Sequence, residues 1–202
     1  MMNNILLELK NISLSRNEKK IISNISLSIC DGSVNNIFGY NGSGKTSILK
    51  ILVGLTEPTS GKVINNIDEE KEYDISYIGH KYGIKNNLTV NENLLYVGSE
   101  TTVDQKIIDR MLDNYNMNMF KNYLVKYLSH GQQKKVALMK MGISEAKVWI
   151  IDEPYSALDK DAIQIFDTFI YGHISNNGSV VMTNHSSINN KLFDINNIGI
   201  SE

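Results

Sequence analysis

Apolar and polar residues alternate near the start of the chain, in Ile5-Leu6-Leu7-Glu8-Leu9-Lys10 and again in Ile25-Ser26-Leu27-Ser28-Ile29. A period of two marks strands with one buried face, so the first 38 residues predict short strands in an antiparallel edge layer. Val34 to Phe38 then runs into Gly39. Beyond a glycine-rich turn, Thr46 to Leu52 carries apolar residues at helical spacing before Gly54, which gives strand, loop and helix in succession. Ile75 to Ile78 predicts another strand. Thr89-Val90-Asn91-Glu92 has the form of a capping box and opens a helix through Leu94 and Leu95. From there to about Ala146 the pattern reads as helical. Val148-Trp149-Ile150-Ile151 is a continuous apolar run ending in Asp152 and Glu153, as in a parallel strand buried on both faces. A helix over 160–174, a strand over 180–182 and a last strand near 198–200 complete the alternation. The expected fold is α/β, with a mainly parallel sheet core, an N-terminal antiparallel β layer and an inserted helical subdomain at about 88–146. No linker, internal repeat or low-complexity segment interrupts residues 1–202, which read as one domain.

Composition narrows the functional classes. The chain is 42% hydrophobic and 21% charged, as in a folded protein. Lys+Arg 20 against Asp+Glu 22 leaves a net charge of -2, so there is no basic footprint for a nucleic-acid backbone and nucleic acid is not an expected partner. Cys30 is the only cysteine, which excludes an intrachain disulfide and reads as a buried thiol in a reducing compartment. No run of about 18 apolar residues occurs, so the chain is not expected to insert in a membrane, and any membrane contact is to be borrowed from another chain.

Gly39-Tyr40-Asn41-Gly42-Ser43-Gly44-Lys45-Thr46 matches G-x-x-x-x-G-K-[ST], between a predicted strand and a predicted helix. Glycines there let the backbone wrap closely and aim N–H groups inward, and the helix start adds partial positive charge for phosphates. The bland alternative, a glycine turn with a solvated lysine, does not account for this placement. A P-loop NTPase binding ATP through Gly39, Asn41, Gly42, Ser43, Gly44, Lys45, Thr46 and Ser47 is the reading that follows. Lys45 is expected to reach the β- and γ-phosphates, and Thr46 with Asp152 to hold Mg²⁺ through oxygen. Glu153 is the candidate general base for the attacking water.

Two further segments carry a family resemblance. Leu128-Ser129-His130-Gly131-Gln132-Gln133-Lys134-Lys135 resembles the L-S-G-G-Q signature of ABC transporter ATP-binding subunits, and Ser156-Ala157-Leu158-Asp159 resembles their D-loop. The resemblance covers essentially the whole chain. It implies an ABC ATPase fold, in which Ser129, Gly131 and Gln132 contact ATP held by a second copy of the chain in an ATP-sandwich dimer. It also implies that His185 acts as the switch histidine at the γ-phosphate, and that an integral membrane transporter subunit docks in the groove beside His80 and the 88–125 helices.

Departures from the family pattern set the subtype. Where most such subunits carry glutamine, this chain reads Tyr77-Ile78-Gly79-His80-Lys81-Tyr82-Gly83-Ile84-Lys85, followed by Leu88-Thr89-Val90-Asn91-Glu92-Asn93-Leu94. That combination is similar to the haem-exporter or cytochrome c biogenesis ATP-binding subunits. The resemblance implies a peripheral ATPase at the cytoplasmic side of the bacterial inner membrane that powers haem delivery or export, with His80 in a catalytic position. His130 replaces a residue that is usually small. The aromatic that commonly stacks on adenine is missing from Ser13 to Ile21, where Arg16, Lys19 and Lys20 stand instead; Arg16 either contacts the base or is solvated. His173 reads as incidental. The other readings are another small ABC exporter, a soluble ABC ATPase acting on ribosomes or DNA, and a binding module without hydrolysis. The chain lacks the second nucleotide unit or long insert of the ribosome or DNA class, and Glu153 argues against the last.

Overall fold

Three strands buried on both faces form the middle of the molecule. In a computed structural model describing residues 4–67, 74–96 and 103–200, β3 (Val34–Phe38), β6 (Val148–Ile151) and β7 (Ser179–Asn184) are buried almost throughout. With β5 (Ile75–Ile78) and β8 (Asn196–Gly199) they form a parallel sheet of order β5-β6-β7-β3-β8. Alternate residues of each strand enter opposite cores. Trp149, Ile151, Val180 and Met182 face the core shared with the helical region. Val148, Ile150, Val181 and Ile37 face the core shared with α1 (Lys45–Leu52). Burial on both faces explains why β6 reads as an unbroken apolar run rather than an alternation, while in β3 the buried amides of Asn35 and Asn36 are taken up in hydrogen bonds.

The antiparallel layer has the order β2-β1-β4, from β1 (Ile5–Arg16), β2 (Lys19–Cys30) and β4 (Ser60–Asn65). β1 and β2 are each 12 residues, longer than their alternation predicts. Asn11 and Asn24 adopt positive φ at irregularities of the ladder, so the strands continue where the period breaks. Asn17 and Glu18 both have positive φ and close the hairpin in two residues, as the strand twist requires. β4, for which the pattern gave no expectation, pairs with β1. Cys30 is partly exposed at the end of β2, not buried.

The stretch expected to be helical is more broken. It contains α2 (Val90–Leu95), α3 (Gln105–Asn114) and α4 (His130–Ile143), two short 3-10 turns at Asn118–Phe120 and Val125–Tyr127, and residues 97–102 outside the described set. The Thr89 capping box is present: Glu92 N–H donates to Thr89 Oγ1 at 3.1 Å, and Thr89 N–H donates to Glu92 Oε2 at 2.7 Å. α5 (Lys160–Ser175) follows β6 and closes the first core. His173, at its end, is not incidental. It stacks on Trp149 with ring centroids 3.9 Å apart, and burial pulls its pKa down to about 4. Among the described residues, no helix is long and apolar enough to cross a membrane.

Candidate functional site

The site lies at the carboxyl ends of β3, β6 and β7, where the parallel sheet aims its loops. β3 delivers the chain into the turn Gly39–Gly44. Gly44 sits at φ 95, a conformation L side chains avoid, and caps α1 with no side chain bonded to the first-turn N–H groups. Lys45 is buried, and its ammonium donates to the carbonyls of Gly39 at 2.7 Å and Tyr40 at 2.9 Å, which places a cation inside the turn. Ser43 Oγ is buried without a hydrogen-bond partner. An orphaned hydroxyl, open helix N–H groups and an enclosed ammonium together fit a polyphosphate.

Thr46 Oγ1 donates to Asp152 Oδ2 at 2.7 Å, so the first turn of α1 and the end of β6 present two oxygens side by side. Among the described residues no group of three or more His, Cys, Asp or Glu is placed to hold a metal ion. Two protein oxygens beside a phosphate loop suit Mg²⁺, which keeps several waters and takes the rest of its shell from substrate. Asp152 is almost fully buried. Its other oxygen accepts from Thr183 Oγ1 at 2.6 Å, and the same Thr183 oxygen accepts from Glu153 N–H at 3.0 Å. One threonine on β7 thereby fixes both acids.

Each acid faces one histidine. His80 Nε2 stands 3.5 Å from Asp152 Oδ2, brought there because β5 pairs with β6. His185 Nε2 stands 3.4 Å from Glu153 Oε1. The segment bearing His185 is held by a partly buried amide network. Asn36 donates to Ser186 O and Asn197 Oδ1 and accepts from Asn184 Nδ2, while Asn197 bonds both N–H and carbonyl of Ile188. Glu153 itself has φ 49, disfavoured for a residue with a Cβ.

Ser129, Gly131 and Gln132 form a separate group at the start of α4. Ser129 and Gln132 complete a capping box, with Gln132 N–H on Ser129 Oγ at 3.3 Å and Ser129 N–H on Gln132 Oε1 at 2.8 Å. A Cβ on Gly131 would lie 2.6 Å from the carbonyl of Ala157, so this helix start is packed tightly on the turn after β6. Lys135 pairs with Asp159 at 2.7 Å in the same contact. His130 bonds Tyr82 Oη through Nδ1 at 2.9 Å.

Beside the phosphate turn is a cavity of about 620 Å³ lined by Lys19, Lys20, Ile21, Tyr40 and Ile200, among others. Arg16, the candidate base contact, is not among its lining. The aromatic side chain at this mouth is Tyr40, from inside the phosphate turn rather than ahead of it. Thr183, Asn36, Asn197 and Tyr40 were not singled out by sequence: a threonine or asparagine far along the chain carries no spacing signal, and Tyr40 occupies a free position of its motif.

The chain is similar to known proteins over most of its length. A family model described as ABC transporter matches residues 22–156. A cytochrome c biogenesis ATP-binding export protein (CcmA) from Tatumella citrea is 34% identical over 189 residues, covering 91% of this chain and 90% of its own. Its namesake from Yersinia pseudotuberculosis is 36% identical over 190 residues, covering 91% and 87%. Among solved structures, an ABC transporter ATP-binding protein from Pyrococcus furiosus superposes with a TM-score of 0.81 at 23% identity, over 96% of both chains. An ATP-binding subunit of an ABC transporter gives 0.78 at 22%, over 89% of this chain and 79% of that one.

Proposed function

The chain belongs to the ABC transporter family, and we propose that it hydrolyses ATP as the energy-coupling subunit of an export complex serving c-type cytochrome biogenesis, with haem or its delivery as the process powered. Residues 1–202 act as one nucleotide-binding domain, held at the cytoplasmic face of the bacterial inner membrane by an integral membrane partner. The observation that carries the hydrolytic reading is the pairing of the two acids. Asp152 is bonded to Thr46 of the phosphate turn, and Glu153, one residue on, faces His185 at 3.4 Å.

The roles follow from position. Lys45 and the N–H groups opening α1 bind and orient the β- and γ-phosphates. Thr46 and Asp152 would hold Mg²⁺, which when bound neutralises charge on the phosphate oxygens. Glu153 takes a proton from water as the water oxygen bonds to the γ-phosphorus and the bond to the bridging oxygen of ADP breaks. His185 orients that water and the γ-phosphate. His80 faces Asp152 at 3.5 Å, on the side where Mg²⁺ would be held, and would hydrogen-bond water there. Ser129, Gly131 and Gln132 serve the ATP of a second copy.

The test is Glu153→Gln, which keeps shape and removes the proton acceptor. Steady-state turnover is expected to fall by about a hundredfold or more, with Mg-ATP binding retained. Unchanged hydrolysis would remove Glu153 from the mechanism.

A further inference from the structure

Lys134, on α4, is 1% exposed, yet the partners of its ammonium are not carboxylate oxygens. It donates to the backbone carbonyl of Glu153 and, at 3.0 Å, to Ser156 Oγ, and it lies 5.7 Å from the centre of the Tyr82 ring. Burying an ammonium is costly unless its protons are used, so the position demands what it binds. The bound carbonyl accepts two more hydrogen bonds, from Ser156 Oγ at 3.0 Å and Ser156 N–H at 3.2 Å. It belongs to a residue held at φ 49, a left-handed conformation that persists only where its surroundings enforce it.

We propose that Lys134 is a positioning residue for hydrolysis: by gripping the Glu153 carbonyl it keeps that backbone in its left-handed conformation, and so keeps the carboxylate beside His185. The inference rests on the hydrolytic reading above. Burial lowers the Lys134 pKa to about 8, with the charges of Glu153 and Asp152 acting in opposition, so the side chain remains largely cationic at neutral pH. Because Lys134 rides on the helix that begins at the Ser129 box, it also ties the signature segment to the base of its own subunit.

The experiment compares kcat and Mg-ATP affinity of the full chain with those of Lys134→Met, Lys134→Gln and Lys134→Arg. Lys134→Met is expected to lose about tenfold to a hundredfold in kcat while its Mg-ATP affinity stays within about twofold, because the base is displaced and the phosphate turn is not. Lys134→Arg, which keeps charged donors, is expected to recover most of the loss, with Lys134→Gln between. A Met variant with wild-type kcat, a loss that Arg does not restore, or affinity falling in step with kcat would overturn the proposal. Should the Met variant fail to fold, equal kcat in the Gln and Arg variants would overturn it equally. Absence of turnover in the wild-type chain would overturn the functional reading itself, whereas a working wild type with an unaffected Met variant overturns this inference alone.

Discussion

The proposed function assigns phosphate to the starts of two helices, α1 and α4, and they begin differently. α1 starts at Gly44 with no side chain on its first N–H groups and a buried ammonium inside the preceding turn. α4 starts at Ser129 with a complete capping box, so N–H groups of Ser129 and Gln132 are already taken by side chains of the same segment. An open start is ready for an anion before any partner arrives. A capped start is stable without one. Under the proposed function, the first arrangement would serve the ATP that a copy binds itself, and the second an ATP brought by another copy.

If the two starts divide the work in this way, substitutions at each should separate binding from turnover. The largest effect is expected from Lys45→Ala. Loss of charge-assisted hydrogen bonds to phosphate should weaken Mg-ATP binding by about a hundredfold in calorimetry, and retained affinity would break the assignment of α1. A smaller effect is expected at α4. Ser129→Ala removes the cap from Gln132 N–H and should cost about 1 kcal/mol of stability in denaturant melts. It should leave Mg-ATP affinity of the single chain within about twofold while turnover falls. Equal losses of binding in the two variants would erase the distinction between the helix starts.

Much of this was legible in sequence because it is contiguous. The phosphate turn, the run Val148 to Ile151 with its two acids, and the Thr89 box each carry their geometry in the spacing of neighbouring residues. The centre of the parallel core was legible for the same reason, since β6 is buried on both faces and leaves an unbroken apolar run. What depends on distant pairing was not. β4 reads Ser60-Gly61-Lys62-Val63-Ile64-Asn65 and becomes a strand by pairing with β1. Thr183 resembles any β-branched strand residue until it is seen bonded to Asp152 and Glu153. Lys134 reads as one more basic residue on a helix, yet it is among the most buried in the chain. His173 and Trp149 lie 24 positions apart and stack only because α5 packs over β6.

The division between the two helix starts requires that one copy's α4 meet the other copy's ATP. Sedimentation velocity of the Glu153→Gln chain, with and without Mg-ATP, tests this directly. The account predicts a dimer with nucleotide and a monomer without it, because blocked hydrolysis leaves the shared ATP in place. A chain that binds Mg-ATP and still sediments as a monomer would contradict it.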